Sequence, residues 1–350
     1  MEYAKLGHSG LDVSRVCLGS MTWGVQNNQQ DADLQINYAL EQGVNFIDTA
    51  EMYAIPATPD TYGKTESIIG DWVSRHQSQR QDVIIASKIA GPGMHWVRDG
   101  GPITGESVIA SVEQSLKRLQ TDYIDLYQLH WPNRTSPHFG KQWPNQFSFT
   151  EVDTQAQRAQ MLEILQALNE CIAAGKIRHC GLSDETTWGI STYLELAEKH
   201  SLPKMVSIQN EFSLLCQKDW PYLIEHCHHN DVAYLPWSPL ATGLLSGKYA
   251  NNARPNGSRW SLMNPSSIYR SSALAHEAVA QYCHIANDIG ITPAQLALAW
   301  CNQVQGVTSS IIGATSLPQL KENISAFDIT LDTETCERIT QVIKQYPAPY

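Results

Sequence analysis

Eight short apolar runs alternate with eight amphipathic stretches along the 350 residues of this chain. A short continuous apolar run is typical of a strand buried on both faces, and an amphipathic stretch is typical of a helix packed on a sheet. The runs predict strands at residues 15–18, 44–48, 83–87, 123–129, 177–182, 205–209, 232–236 and 308–312. The stretches predict helices at residues 31–42, 65–75, 105–119, 158–174, 187–199, 221–228, 272–289 and 317–326. Eight consecutive strand–helix units close most simply into a (β/α)8 TIM barrel, which is the α/β fold that we predict.

The alternative fold is a doubly wound open sheet, which needs a glycine-rich phosphate loop after its first strand. The segment in that position, Leu18-Gly19-Ser20-Met21-Thr22, is not such a loop, so the barrel is favoured. We predict one domain over residues 1–350, with an N-terminal β-hairpin within residues 1–13 and an added C-terminal helix near residues 333–344. Residues 131–155 and 241–271 form unusually long connections, and long loops on the catalytic face of a barrel are often functional.

Composition limits the partners and the location of the protein. The formal net charge is −11, which argues against a nucleic-acid partner. No apolar run approaches the ~18 residues of a membrane span, and the N-terminus lacks the pattern of a signal peptide. The 8 cysteines include no CxxC pair, which favours reduced, buried thiols over disulfides. We therefore expect a cytoplasmic protein that binds neither nucleic acid nor membrane.

Four polar residues stand at or just after the ends of predicted strands. Asp48, Lys88 and His130 each follow an apolar run, and Tyr53 comes shortly after Asp48. Because the C-terminal ends of parallel barrel strands meet at one mouth, we expect these four side chains to lie together.

Together these side chains indicate proton chemistry. The phenol of Tyr53 has an ordinary pKa of about 10, which is too high for easy proton donation. The ammonium of Lys88 would lower this pKa, and Asp48 would hold the ammonium in place. His130 would orient a carbonyl oxygen beside the phenol. The group predicts a general acid for an oxygen that gains negative charge, and it needs a partner that supplies electrons, such as a hydride carrier.

Several segments resemble the aldo-keto reductase superfamily, in the same order and over essentially the whole chain. The most diagnostic is Gly43-Val44-Asn45-Phe46-Ile47-Asp48-Thr49-Ala50-Glu51-Met52-Tyr53. The others lie at residues 18–22, 63–66, 119–130, 175–183, 207–210 and 312–323. Trp237-Ser238-Pro239-Leu240-Ala241 is similar to the branch that contains potassium-channel β subunits and bacterial Tas-like reductases.

The resemblance implies a role for each matching position. Tyr53 would donate the proton, Asp48 and Lys88 would tune it, and His130 would set the geometry of the carbonyl group. The resemblance also implies bound NADP(H). Near the nicotinamide, its contacts would be Ser20 and Met21 in the first loop, Ser183 and Gln209 at the carboxamide, and Trp237 against the ring. Near the pyrophosphate they would be Ser238, Pro239, Leu240 and Gly243. Lys248, Arg259 and Thr315 would lie near the 2′-phosphate, and Gln319, Glu322 and Asn323 at the adenosine end, with Gly313 in the same set. Two cations near the phosphate favour NADP(H) over NAD(H).

Asp184 departs from the family pattern, because many relatives have Asn after the Ser. An ionised Asp accepts from the carboxamide NH₂ group but cannot donate to its carbonyl oxygen. Residue 184 is therefore left out of the predicted coenzyme contacts.

The leading hypothesis for function is NADPH-dependent reduction of a small aldehyde or ketone to an alcohol. The alternative is a regulatory or redox-sensing subunit that binds NADP(H), as in the channel β subunits, although the complete set of four polar residues favours catalysis. A metal-dependent barrel enzyme would need a ligand cluster, and His226, His228 and His229 are interpreted as a solvated helix face instead. An oligomer is possible but is not implied.

The long connection after His130 carries side chains that could wall a substrate pocket or simply anchor the loop, and the sequence leaves both open. These side chains are Trp131, His138, Trp143, Phe147 and Phe149.

Overall fold

The computed structural model describes residues 1–137, 139–146, 148–149, 152–263 and 268–350. Within these residues the strands are β1 (Tyr3–Lys5), β2 (Asp12–Ser14), β3 (Val16–Gly19), β4 (Phe46–Asp48), β5 (Ile84–Ile89), β6 (Ile124–Leu129), β7 (Ile177–Ser183), β8 (Ser207–Glu211), β9 (Ala233–Trp237) and β10 (Ser310–Ile312). The strands β3 to β10 form one parallel sheet in the order β10-β3-β4-β5-β6-β7-β8-β9. A bridge between Tyr234 and Val307 closes the sheet between β9 and β10.

The helices are α1 (Gln29–Glu41), α2 (Lys64–Arg75), α3 (Gly105–Leu119), α4 (Thr154–Ala173), α5 (Thr187–His200), α6 (Tyr222–His229), α7 (Arg259–Leu262), α8 (Ala273–Asp288), α9 (Pro293–Gln303), α10 (Leu317–Ser325) and α11 (Thr333–Gln345). Helices α1 to α9 lie between consecutive strands of this nearly closed barrel, and α10 and α11 follow the last strand. In the part of the chain that is described, no helix has both the length and the apolar character of a membrane span. The predicted (β/α)8 barrel, the N-terminal hairpin and the added C-terminal helix are confirmed.

Helix α9 is absent from the elements that the sequence pattern predicts. Its start carries clear signals, because Thr292 and Gln295 form a capping box and Pro293 occupies the first turn. Its body contains consecutive buried residues from Leu296 to Ala299, so no amphipathic period is visible. Helix α4 also begins earlier than predicted, because Asp153 caps its N-terminus.

The hairpin β1–β2 closes the end of the barrel at which the parallel strands begin. Leu6 and Val13 are fully buried there, in an apolar cluster that includes Phe46. Gly7 has a φ of +53°, and a Cβ at this position would lie 2.3 Å from the carbonyl oxygen of Val206. The hairpin therefore fills the bottom of the barrel with apolar side chains.

The alternation of side chains along the strands makes the opposite end polar. Ile84 and Ala86 of β5 belong to the interior apolar cluster, so Lys88 points toward the same interior further along the strand. The same alternation on β6 places Gln128 above Leu126, and the register pairs Lys88 with Gln128. The inward layer nearest the C-terminal ends of the strands is therefore built from polar residues.

A second apolar cluster lies among α8, α9 and α11, outside the barrel. Ile339 of α11 is completely buried in this cluster, whereas Ile289 at the end of α8 is 37% exposed. We predict that Ile339→Ala lowers the free energy of unfolding by about 2–5 kcal/mol, because the truncation leaves a cavity. Ile289→Ala, the matched control, should cost about 1 kcal/mol or less. Urea unfolding followed by circular dichroism measures both, and equal losses would contradict the packing described here.

Candidate active site

Asp48, the last residue of β4, is the centre of a buried hydrogen-bond network at the mouth of the barrel. Its Oδ2 accepts a hydrogen bond from Nζ of Lys88 at 2.5 Å, and the same ammonium donates to the carbonyl oxygen of Thr49 at 2.8 Å. Its Oδ1 accepts from Nε2 of Gln209 at 2.8 Å and from Nε2 of Gln128 at 3.2 Å. The C-terminal ends of four strands thus converge on one carboxylate.

Lys88 keeps its charge although it is completely removed from solvent. Burial on its own lowers the pKa of the Lys88 ammonium, but the Asp48 carboxylate and the Tyr53 phenol raise it, and the net direction is upward. The ion pair with Asp48 therefore holds a positive charge inside the barrel mouth.

Tyr53 lies on the loop after β4, beside this ion pair. The Nζ of Lys88 is 5.1 Å from the centre of the Tyr53 ring. Burial raises the pKa of the phenol, Lys88 lowers it and Asp48 raises it, and the net direction is upward. The prediction that Lys88 makes this phenol more acidic than usual is therefore wrong, because Lys88 offsets only part of the effect of burial. The phenol stays protonated at neutral pH, which is the state that a proton donor needs.

A buried carboxylate that was missed by the sequence analysis, Glu51, holds the loop that carries Tyr53. Its Oε1 accepts from the N–H of Ala90 and from Nη1 of Arg98, both at 2.7 Å. Its Oε2 accepts from the hydroxyl of Tyr62 at 2.9 Å. These bonds replace the water that a fully buried carboxylate has lost, and they fix the path of the loop.

His130 follows β6 and faces Tyr53. The centres of the two rings are 5.6 Å apart, with an angle of 82° between their planes. Trp131 lies 4.9 Å from His130, and Phe139 lies 6.3 Å from Trp131 and 5.9 Å from Trp237, measured between ring centres. We call the three rings of Trp131, Phe139 and Trp237 the aromatic wall. The aromatic wall lies next to the facing rings of Tyr53 and His130.

The long connection after β6 contributes to this wall in part. Of its predicted side chains, Trp131 lies in the wall, while Trp143 and Phe149 are 44% and 80% exposed. His138 and Phe147 lie outside the described residues.

The turn that follows Trp237 contains several residues in the left-handed region. Ser238, Ala241, Thr242 and Gly243 have φ angles of 55°, 48°, 56° and 93°. Left-handed conformations of residues other than glycine cost about 1–3 kcal/mol each and cluster at ligand-binding sites. The N–H groups of Ala241 and Gly243 donate to the carbonyl oxygens of Ser238 and Leu240 at 2.7 and 2.8 Å, so these hydrogen bonds hold the turn. The contact of this turn with a pyrophosphate stays a prediction.

Two cations of the connection after β9 also fit an anionic ligand. Burial and the neighbouring charge of Arg270 lower the pKa of Arg259 to about 10. In the described part of the chain its Nε has no hydrogen-bond partner, and its Nη1 donates to Sδ of Met21 at 3.6 Å. Lys248 folds back toward Gly243, where a Cβ would lie 3.2 Å from its Nζ, and burial lowers the pKa of this ammonium. Among the described residues neither cation forms a salt bridge, and each could therefore meet an anion at its own position, Lys248 beside Gly243 and Arg259 beside Met21.

Ser183, predicted at the carboxamide together with Gln209, and Ser20, predicted in the first loop, lie at strand ends on the same mouth. Ser20 and Ser183 are buried, and their hydroxyls donate to the carbonyl oxygens of Asp48 at 2.7 Å and of Gln209 at 2.8 Å. A hydroxyl that donates internally can still accept, so both oxygens fit a carboxamide NH₂ group. Three further predicted contacts follow the C-terminal ends of β3 and β9, namely Met21, Pro239 and Leu240.

The turn between β10 and α10 collects the residues predicted at the adenosine end. Nδ2 of Asn323 donates to the carbonyl oxygen of Gly313 at 3.2 Å. Oε1 of Gln319 accepts from both the N–H and the hydroxyl of Thr315 at 3.0 Å. Glu322 is partly exposed on the same helix. These residues of α10 therefore contact the turn that carries Gly313 and Thr315, which was predicted near the 2′-phosphate, and their contacts with a coenzyme stay a prediction.

A second buried ion pair, between Arg270 and Glu211, was not predicted. Nε of Arg270 donates to Oε1 of Glu211 at 2.7 Å, and the hydroxyls of Tyr269 and Tyr350 donate to the same carboxylate at 3.0 and 2.9 Å. The pair ties the connection after β9 and residue 350 to the end of β8. Its members, like Gln128 in the first network, lie far apart in the sequence and carry no local signal.

The histidines and cysteines form neither a metal site nor a disulfide within the described residues. Among the described residues, no group of 3 or more His, Cys, Asp or Glu side chains could hold a metal ion. His226 contacts the hydroxyl of Ser191 at 3.3 Å, and His228 and His229 are exposed. All eight cysteine thiols are unpaired, and burial raises the pKa of Cys180 to about 12, so this thiol stays neutral.

The barrel, its hairpin and the residues at its mouth define a family. The model of the aldo/keto reductase family matches residues 15–344, and the chain belongs to this family. It is 42% identical to Protein tas of Escherichia coli (strain K12) over 354 residues, with 100% of both chains covered. It is 32% identical to the uncharacterized oxidoreductase YrpG of Bacillus subtilis (strain 168), and the match covers 100% of this chain and 97% of YrpG. It is 30% identical to a probable voltage-gated potassium channel subunit beta of Arabidopsis thaliana, covering 99% and 98%.

The family and these relatives support an oxidoreductase. Members of the family generally use NAD(P)H. The similarity to Tas and to channel β subunits confirms the branch that the sequence motifs indicated.

The ion pair at the mouth can be tested without any ligand. We predict that Asp48→Asn and Lys88→Met each lower the free energy of unfolding by about 3–5 kcal/mol, because each leaves a buried charge without its partner. The double variant should lose clearly less than the sum of the two, since it removes both charges. Urea unfolding of the four proteins gives the coupling energy. Losses that simply add would show that the two side chains do not stabilise one another.

Proposed function

We propose that this chain catalyses the NADPH-dependent reduction of a small aldehyde or ketone to an alcohol. The observation that carries the proposal is the buried Asp48–Lys88 ion pair beside the Tyr53 phenol, at the mouth of the barrel. A positive charge fixed next to a neutral phenol stabilises the phenolate that forms when the proton leaves.

When bound, NADPH supplies a hydride to the carbonyl carbon of the substrate. Tyr53 donates its phenolic proton to the carbonyl oxygen as negative charge develops there. Lys88 stabilises the resulting phenolate, and Asp48 keeps the ammonium in position. His130 faces the phenol and orients the carbonyl oxygen beside it. The partners of Asp48 hold this arrangement before the substrate arrives, so little reorganisation is needed during the reaction.

The aromatic wall supports a substrate with an apolar or aromatic substituent. Phe139 is 46% exposed and Trp237 is partly exposed, so the wall offers apolar surface next to the proposed proton donor. Aromatic rings attract other rings through edge and offset contacts. An aromatic aldehyde such as 4-nitrobenzaldehyde is therefore a suitable first substrate.

The preference for NADPH over NADH is supported by Lys248 and Arg259. Both cations lack a carboxylate partner within the described residues, and a 2′-phosphate would supply the missing negative charge. The left-handed turn at residues 238–243 would hold the pyrophosphate.

A regulatory role is the second candidate, because a channel β subunit is 30% identical over nearly the whole chain. In that role the binding of NADP(H), and not turnover, would be the output. The consumption of NADPH with a panel of 4-nitrobenzaldehyde, methylglyoxal and simple ketones separates the two candidates. Turnover supports the reductase, whereas tight NADPH binding without turnover supports the regulatory subunit.

The assignment of the proton donor leads to a direct prediction. Tyr53→Phe should lower kcat by about 10²–10⁴-fold, since a general acid contributes that much, while the affinity for NADPH changes little. Tyr222→Phe, at a side chain that is 76% exposed, serves as the control and should leave both quantities unchanged. Wild-type turnover in Tyr53→Phe would refute the assignment.

The coenzyme preference gives a second prediction. Lys248→Ala should weaken NADPH binding by about tenfold to a hundredfold, the effect of losing a hydrogen bond to a charged group, and should leave NADH binding unchanged. Lys117→Ala, on the exposed face of α3, is the control. Dissociation constants from tryptophan fluorescence quenching measure the effect. An equal loss of affinity for NADPH and NADH would show that Lys248 does not contact the 2′-phosphate.

A further inference from the structure

Asp184 occupies a fixed position at the end of β7. Its backbone has a φ of 52°, its N–H donates to the carbonyl oxygen of Gln209 at 3.0 Å, and its own carbonyl oxygen accepts from the hydroxyl of Ser136 at 2.8 Å. The residue is 6% exposed. The neighbouring strand and the long loop thus hold the backbone of Asp184 on both sides.

The carboxyl group contacts Trp237, which is predicted to lie against the nicotinamide ring. Nε1 of Trp237 donates to Oδ1 of Asp184 at 3.1 Å. Ser183 precedes Asp184 in the chain, and Gln209 of β8 pairs with Ser183. Among the described residues no cation forms a salt bridge with Asp184, in contrast to the buried carboxylates of Asp48, Glu211 and Glu185.

The charges around this group favour its neutral form. Burial raises the pKa of Asp184 to about 8, against the opposing effects of Lys218 and of the Trp237 hydrogen bond. Glu211 and Asp219 raise it further, and the Tyr53 phenol also interacts with it. Arg270 lies 5.6 Å from the Trp237 ring, but its charge is matched by Glu211.

A neutral carboxyl group has the same hydrogen-bonding capacity that a carboxamide contact requires. It offers one O–H donor together with an acceptor oxygen, as a primary amide offers N–H donors with an acceptor oxygen. An ionised carboxylate has acceptors alone. Asp184 can therefore replace the Asn of the family pattern as long as it keeps its proton.

We propose that Asp184 holds the nicotinamide carboxamide as a neutral acid, and that the loss of its proton shifts the preference of the site from NADPH toward NADP⁺. The inference rests on the proposed function. The reduced nicotinamide ring is neutral and the oxidised ring is positive, so a carboxylate next to the ring attracts the oxidised coenzyme, and more strongly in a site shielded from water. Since NADP⁺ favours the ionised form, its binding shifts Asp184 toward that form, and the proton that the carboxyl group loses goes to solvent.

The test compares the two coenzymes in one protein. Dissociation constants for NADPH and NADP⁺ are measured by tryptophan fluorescence quenching from about pH 6.5 to pH 9.5, on both sides of the titration of Asp184. The ratio Kd(NADPH)/Kd(NADP⁺) is the readout, because the 2′-phosphate common to both coenzymes cancels in it. In the wild type this ratio should rise about tenfold with pH, which corresponds to a difference of one pKa unit between the two complexes. In Asp184→Asn it should stay flat.

The control is Asp231→Asn, at an exposed aspartate with a φ of 49°, which should behave like the wild type. The same rise in Asp184→Asn as in the wild type, or a flat ratio in the wild type, would overturn the inference while leaving the proposed function intact. A wild type that binds neither coenzyme at any pH would overturn both.

The protein without coenzyme gives an independent readout. The folded pKa of Asp184 lies above its unfolded value, so the native chain keeps a proton that the unfolded chain loses. The stability of the wild type relative to Asp184→Asn should therefore fall as the pH rises from about 4, the unfolded pKa, and level off above the folded pKa of about 8. Parallel stability curves for the two proteins would contradict a neutral Asp184.

Discussion

The ion pair between Lys88 and Asp48 is the interaction on which the mouth of the barrel depends. An ammonium without solvent contact is tolerated only where an opposite charge and hydrogen bonds replace its hydration. Asp48 supplies the charge, and Gln128 and Gln209 satisfy its second oxygen. These residues come from four different strands, so the pair requires the closed barrel. The apolar plug formed by the hairpin at the other end stabilises that barrel.

The cations at the mouth fall into two groups: those paired with a buried carboxylate, and those without a salt bridge within the described residues. Arg270 is paired with Glu211, and Arg98 with Glu51, so these cations stabilise loops. Arg259 and Lys248 form no salt bridge within the described residues, and burial lowers the pKa of both. Lys248 lies next to Gly243 in the left-handed turn after Trp237, whereas Arg259 contacts Met21 after β3. The two cations without salt bridges therefore lie beside different loops of the mouth.

The sequence was most informative where a local pattern determines the structure. Each apolar run that ends in a polar residue marked a strand end, and Asp48, Lys88 and His130 do lie at the mouth of the predicted barrel. Helix α9 was not predicted, because burial on several sides removes its amphipathic period. Gln128 and the Arg270–Glu211 pair were not predicted, because their partners are distant in the chain. The direction of the Tyr53 pKa also could not be predicted, since burial, which outweighs Lys88, depends on the assembled structure.

The most direct test of the account is the titration of the Tyr53 phenol itself. Tyrosine labelled with ¹³C at Cζ gives a signal for residue 53 that is assigned by its loss in Tyr53→Phe. The account predicts that the titration of this signal moves to higher pH in Lys88→Met, and also in the charge-balanced variant Asp48→Asn/Lys88→Met, because the effect of the ammonium on the phenol exceeds that of the carboxylate. An unchanged or lower titration in both variants would show that the ammonium does not stabilise the phenolate, and the proposed proton donation would lose its physical basis.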